Sequence, residues 1–148
     1  MRLSKTSTHA ALAVAFLANS DQGHVVQARQ VADFLGIPVD SALKVLQNLA
    51  RRGIIHSQLG RGGGYRLSRP APHINLLQVL EATDGPIDAD VCLTSANASC
   101  AHSLDVLQGV CERVADRVRA ELAAISIADL ARAQHAPAAP SQALASVA

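Results

Sequence analysis

Polar side chains at helical spacing are the residues of this chain best suited to binding another molecule. A helix would place one set on a single side, at positions i, i+3, i+7 and i+10: Ser41, Lys44, Asn48 and Arg51. Their hydroxyl, amine, amide and guanidinium groups are types that bind phosphate oxygens or base edges in the major groove of DNA. Gln47 lies beside them and joins the candidate set. The alternative interpretation is an ordinary solvated helix face.

The charge distribution favours DNA as the partner of this face. Residues 41–80 contain six Lys or Arg and no Asp or Glu, a charge of +6. Residues 1–40 balance at zero, and residues 81–148 carry nine acids against four arginines, which completes the +1 of the whole chain. A basic segment of this kind suits a phosphate backbone. A basic module that binds an acidic protein remains the alternative.

The segment that must position these side chains has the pattern of a helix-turn-helix. Gly36 falls where a first helix would end in a left-handed residue, and Ile37-Pro38 would start the second helix. Apolar residues recur along that second helix and should face a core: Ala42, Val45, Leu46 and Leu49.

A glycine-rich hairpin should follow as a wing. Residues 54–59 are predicted as a strand, 60–64 as its tip and 65–67 as the returning strand. Arg61 would project from the tip toward a narrow minor groove, and Tyr65 would anchor the wing. The glycines are followed by neither Lys-Ser/Thr nor a helix, so a nucleotide-binding loop is not predicted.

Composition excludes several other classes. The chain of 148 residues has only Phe16, Phe34 and Tyr65 as aromatics, too few for a base-stacking platform. No Ser/His/Asp set or paired carboxylates are recognisable, so an enzyme is not predicted. The apolar run at residues 10–18 is shorter than the roughly 20 residues of a membrane span and fits a buried first helix. Three cysteines suit a reducing cytoplasm better than a disulfide scaffold.

Five segments together resemble one protein family: residues 1–4 (MRLS), 31–37 (VADFLGI), 46–55 (LQNLARRGII), 62–67 (GGGYRL) and 74–82 (INLLQVLEA). The chain is similar to winged-helix transcriptional regulators of the IscR/NsrR type, the Rrf-two family. The resemblance implies a mainly α fold with a small β-wing and a long C-terminal dimerisation helix. It also implies a homodimer on an inverted-repeat operator, sensing iron–sulfur status, nitric oxide or redox state. The predicted division is a DNA-binding domain (1–83), a sensor loop (84–102), a dimerisation helix region (103–132) and a disordered tail (133–148).

The dimerisation helix is expected to begin after Ser103 as its N-cap. Apolar residues then recur every three or four positions: Leu104, Leu107, Cys111, Val114, Val118, Leu122 and Ile125. Such a stripe fits a seam with the same helix of a second protomer, or core packing within the monomer. Asn75 should cap a short helix before it, and Ser126 with Asp129 should form a capping box after it.

The resemblance implies an iron–sulfur cluster held by the cysteines, of the 2Fe-2S type. Cys92 and Cys100 match the first two ligand positions of the family. Family members usually place the third cysteine just before the long helix, whereas Cys111 falls about two turns inside it. His102 or His9 are alternative ligands, although His102 and Cys111 would lie on opposite faces if the helix includes residue 102. Thiol oxidation without metal, a small-molecule ligand and Cys111 as a packing residue remain open.

Overall fold

The computed structural model describes residues 3–20, 24–89 and 101–135. The elements follow one another as α1 (Lys5–Asn19), α2 (Ala28–Leu35), α3 (Val39–Arg51), β1 (Ile55–Gln58), β2 (Gly64–Leu67), a 3-10 turn (Ala71–His73), α4 (Leu76–Asp84), α5 (Ala101–Ala124) and α6 (Ile127–His135). The predicted fold class, mainly helical with a two-stranded wing and a long C-terminal helix, is confirmed. None of the helices in these ranges is long and apolar enough to cross a membrane.

Helix α1 lies at the centre of the core. Its small residues Ala10 and Ala13 are fully buried, which lets α4 and α6 pack closely against it. Fully buried branched side chains from α3, β1, the segment before α4 and α6 complete this core: Leu46, Leu49, Ile55, Ile74 and Ile127. The apolar run near the N-terminus is therefore the buried first helix that its length indicated.

The last helix returns to the N-terminal domain. The Ile127 amide donates to the Ile74 carbonyl at 2.8 Å, and the Leu76 amide donates to the Ile125 carbonyl at 2.9 Å. The Asn19 side chain donates to the Ala131 carbonyl at 3.1 Å. Through these bonds α6 becomes part of the same core as α1, although the two helices are far apart in sequence.

Capping side chains set the ends of several helices as predicted. Asn75 accepts a hydrogen bond from the Gln78 amide at 2.9 Å, and the Gln78 side chain accepts from the Asn75 amide. Ser126 and Asp129 form the corresponding box at the start of α6. Gly36 ends α2 with φ 65°, the left-handed conformation that glycine adopts at little cost.

Several predicted boundaries differ from the structure. The prediction that Ser103 caps the long helix is wrong, because α5 is already helical at Ala101 and includes His102. The first wing strand is Ile55–Gln58 rather than residues 54–59, and Leu59 is 94% exposed. The second strand begins at Gly64 rather than at Tyr65. At the other end of the chain, α6 continues to His135, while residues 136–148 lie outside the described residues.

Candidate nucleic-acid interface

The turn between α2 and α3 holds the two helices in close contact. The Ile37 amide donates to the Ala32 carbonyl at 3.1 Å, which closes the end of α2. Ala32 is 1% exposed and Ala42 is fully buried, and α2 packs directly against α3. This packing fixes the direction in which α3 presents its outer face.

Helix α3 is strongly two-sided. Its apolar residues are buried as expected from their spacing: Ala42, Val45, Leu46 and Leu49. The opposite side carries the polar set of the sequence prediction, with all members exposed except the half-buried Asn48: Ser41, Lys44, Gln47, Asn48 and Arg51. The structure therefore brings these side chains together on one accessible face.

A cleft of about 610 Å³ runs along this polar face and has α1 as its other wall. Thr6 and His9 contribute the α1 side. The opposite side comes from α3 and the turn before it: Ile37, Pro38, Ser41, Lys44, Val45, Gln47, Asn48 and Arg51. His9 was predicted only as an alternative cluster ligand, and Thr6 was not among the predicted site residues. Their spacing of three residues in α1 puts both on one side of that helix, but only the packing of α1 beside α3 places them here.

The wing is an antiparallel pair in which Ile55 faces Leu67 and Ser57 faces Tyr65. Arg61 is exposed at its tip, where the Gly63 amide donates to the Gly60 carbonyl at 2.9 Å. Tyr65 is half-buried against the core. Its backbone exchanges two hydrogen bonds with Val26, of 2.8 and 2.9 Å. Tyr65 therefore holds the wing onto the chain that precedes α2.

Close backbone packing explains one of the wing glycines. A Cβ at Gly64 would lie 2.5 Å from the Val26 carbonyl oxygen, well inside van der Waals contact. A larger residue would push the wing away from the segment before α2. This requirement depends on the bridge between Val26 and Tyr65, which no local sequence pattern showed.

The candidate cluster ligands do not form one site within the described residues. Cys92 and Cys100 lie outside those residues. Cys111 is half-buried in α5 and His102 is exposed on the same helix. Nine residues separate them, and at about 100° per residue they point to opposite sides, so one cluster could not bind both. His9 lines the cleft beside α3. No group of three or more His, Cys, Asp or Glu side chains in the described ranges is placed to hold a metal ion.

A helix-turn-helix with an exposed polar second helix and a two-stranded wing defines a winged-helix DNA-binding protein. A family model described as Rrf2, an iron-dependent transcriptional regulator, matches residues 3–133. The chain therefore belongs to the Rrf2 family, the same Rrf-two family that its motifs resemble. This is a family of transcriptional regulators, and the membership agrees with the prediction that the chain is not an enzyme.

Individual relatives agree with the family assignment. An HTH-type transcriptional regulator of Neisseria meningitidis serogroup A is 32% identical over 107 residues, which cover 72% of this chain and 71% of that protein. One of Mycobacterium tuberculosis H37Rv is 37% identical over 87 residues, covering 59% of this chain and 54% of the relative. The match thus spans about half the length of that relative. NsrR of Bacillus subtilis is 26% identical over 103 residues, covering 70% of each chain.

Solved structures share the fold. CymR, the global cysteine regulator of Bacillus subtilis, superposes with a TM-score of 0.70 at 19% identity, covering 90% of this chain and 98% of CymR. IscR of T. potens gives a TM-score of 0.70 at 20% identity, covering 90% of this chain and 88% of IscR. At these identities the likeness concerns the fold alone.

Proposed function

We propose that this regulator binds an inverted-repeat operator as a homodimer, with α3 of each protomer in the major groove and each wing at the adjacent minor groove. The observation that carries the proposal is the exposed polar face of α3, opposite the buried face that fixes the helix in the core. An α-helix fits the major groove of B-form DNA, where side chains can reach base edges.

Each side chain of the interface has a role that follows from its position and chemistry. Lys44 and Arg51 supply positive charge on the exposed face of α3 for phosphates or guanine edges. The remaining groove-facing side chains are hydrogen-bonding residues suited to bases or phosphates: Ser41, Gln47 and Asn48. Arg61 at the exposed wing tip reaches the minor groove, and Tyr65 keeps the wing in place.

The proposed dimer uses α5. This helix of 24 residues buries only Ala115 among its own side chains. Large apolar side chains remain exposed along one side of it: Val106 (56%), Leu107 (47%), Val110 (42%) and Val114 (56%). Covering such a stripe would be favourable because it removes apolar surface from water. Leu104, Cys111 and Val118 are half-buried on the adjacent side, so the predicted stripe is divided between the monomer and the proposed partner.

We further propose that sensing depends on Cys92 and Cys100. As thiolates they could ligate a 2Fe-2S cluster, which would supply redox chemistry, or they could oxidise as a thiol pair without metal. Cys111 lies one turn from Ala115 and two turns from Leu104, on the same side of α5. That position is typical of a packing cysteine. Among the described residues, we therefore propose no further ligand beside Cys92 and Cys100.

Operator binding by α3 variants tests the proposal. The probe is a duplex that the wild-type protein selects from a randomised pool. Lys44→Ala and Arg51→Ala should each weaken binding about tenfold or more, and each lost phosphate contact should reduce the salt slope by about one. Arg132→Ala, which removes the same charge from α6, should leave affinity unchanged.

Two results would contradict the proposal. Unchanged affinity for both α3 variants would reject the assigned face. Equal affinity of the wild type for the selected and for random duplexes would favour a basic protein-interaction module instead.

A further inference from the structure

The cleft between α1 and α3 has a second polar wall that the proposed groove contacts do not use. Thr6 is exposed and His9 is half-buried, and both face the cleft from α1. Neither side chain forms a hydrogen bond with any other described residue. By contrast, the neighbouring hydroxyls are occupied: Ser7 donates to Asp84 at 2.6 Å and Thr8 donates to the Ser4 carbonyl at 2.9 Å. Thr6 and His9 thus retain free hydrogen-bonding groups at the edge of the DNA-binding face.

The dimensions of DNA determine what would enter this cleft. The major groove is about 12 Å wide and accepts a single helix. If α3 occupies the groove, α1 cannot enter beside it. Helix α1 must then meet the rim of the groove, which is one sugar–phosphate strand. The cleft, with α3 on one side and α1 on the other, lies where that strand would pass.

The lining of the cleft has the chemistry that a phosphodiester requires. Neither Asp nor Glu occurs among the described residues that line it, whereas Lys44 and Arg51 do. A threonine hydroxyl and an imidazole N–H can both donate hydrogen bonds to phosphate oxygens. Apolar Ile37 and Val45 also contribute to the lining and suit the sugar carbons.

The start of α1 is held firmly in this position. Ser4 caps α1 by accepting a hydrogen bond from the Ser7 amide at 3.0 Å. The Ser4 and Ser7 hydroxyls donate to the two carboxylate oxygens of Asp84 at 2.8 and 2.6 Å. These bonds tie the first turn of α1 to the end of α4, so Thr6 does not need to be ordered when DNA binds. A preorganised donor loses less entropy on binding.

We infer that the cleft seats one strand of the operator backbone, with Thr6 and His9 donating to phosphate oxygens on the side away from α3. This inference rests on the proposed function, because it requires α3 in the groove. It adds two positioning residues to the DNA interface that lie outside the helix-turn-helix.

Thr6→Val and His9→Ala test the inference. Each should weaken binding roughly tenfold or more, the loss expected for a hydrogen bond to a charged acceptor. Because phosphates are the same at every base pair, the loss should be equal on the selected operator and on random duplex. Thr8→Val and His73→Ala, the latter at an exposed histidine, are the matched controls and should bind as the wild type does. Thermal melts of each variant establish that the fold is retained, and Thr6→Ala and His9→Gln provide second substitutions.

Phosphate ethylation gives an independent measurement. On the wild-type protein, ethyl groups at the phosphates along the rim should interfere with binding. In Thr6→Val and His9→Ala the same modifications should have a smaller effect, because the contact is already absent.

The possible failures are distinguishable. If Lys44→Ala weakens binding but Thr6→Val and His9→Ala do not, the cleft does not hold the DNA strand, while the proposed function stands. A loss of affinity confined to the selected operator would indicate that Thr6 and His9 contact bases. This result would also contradict the inferred phosphate contacts. If Lys44→Ala, Arg51→Ala, Thr6→Val and His9→Ala all bind normally, the assigned face of α3 is wrong as well.

Discussion

The buried hydroxyl of Ser7 donates a hydrogen bond of 2.6 Å to the carboxylate of Asp84, seventy-seven residues further along the chain. Ser7 is fully buried, and Asp84 is the last residue of α4. Through Ser4, the other carboxylate oxygen is bound to the N-cap of α1. This pair therefore joins the beginning of the DNA-binding domain to the point where the chain leaves it for the predicted sensor loop.

Removing this connection should destabilise the domain. Asp84→Ala and Ser7→Ala should each lower the free energy of unfolding by about 1 kcal/mol, the usual contribution of a hydrogen bond. Their effects should not add, because each change removes the same bond. Urea unfolding of the two single variants and the double variant measures the coupling. Asp88→Ala, an exposed aspartate four residues later, is the control; additive losses would show that the two residues act independently.

The same carboxylate should make stability depend on pH in the acid range. The Ser7 hydroxyl, and to a smaller extent Ser4, lowers the pKa of Asp84 against the opposing effect of burial. A pKa that is lower in the folded than in the unfolded state gives stability that is present above the unfolded value and lost as pH falls through the folded value. The stability difference between wild type and Asp84→Asn should therefore shrink below about pH 4. A difference that stays constant from pH 6 to pH 2.5 would contradict this.

Gly36 and Gly109 should respond in opposite directions to substitution by alanine. Gly36 has φ 65°, so Gly36→Ala should cost about 1 kcal/mol although nothing lies within 4 Å of the added Cβ. Gly109 lies inside α5, and its Cβ would meet only the Arg113 side chain at 3.4 Å. Gly109→Ala should therefore stabilise the protein by roughly 0.5–1 kcal/mol. Thermal melts compare the two, and a loss of equal size in both would refute the conformational explanation.

A charge on the exposed side of α5 should dissociate the proposed dimer. Val114 is 56% exposed in the monomer, so Val114→Asp should leave the fold intact while opposing burial against a second protomer. Sedimentation velocity should then show a monomer, with operator affinity reduced. Ala123→Asp is the matched control, because Ala123 is exposed nine residues further along α5, on the opposite side of the helix. An unchanged dimer in Val114→Asp would place the interface elsewhere.

Substitution of Cys92 or Cys100 should change the visible absorption spectrum of the protein, whereas substitution of Cys111 should not. If the anaerobically purified protein shows visible charge-transfer bands, Cys92→Ser and Cys100→Ser should abolish them. Cys111→Ser should retain them, because Cys111 faces the packed side of α5. Loss of the bands in Cys111→Ser alone would make it a ligand, whereas a colourless, iron-free wild type would favour thiol oxidation or a small ligand.

Local sequence patterns were sufficient to predict the two faces of α3 and several helix ends. The buried and exposed faces of α3 follow from apolar residues at a spacing of 3.6, which any amphipathic helix must satisfy. Gly36 and the capping boxes of α4 and α6 are also local, since each involves residues no more than a few positions apart. Ser103 failed as a helix start because a good capping residue can equally lie within a helix that began earlier.

The sequence by itself thus determined the types of secondary-structure element, the polar face of α3 and the family. Only the tertiary structure placed Thr6 and His9 opposite that helix, joined Ser7 to Asp84 and returned α6 to Ile74. These relationships connect residues that are distant in the chain, and no periodic pattern in the sequence links one member of a pair to the other. They are decided by how the helices pack around α1, so they become visible only when the core is assembled.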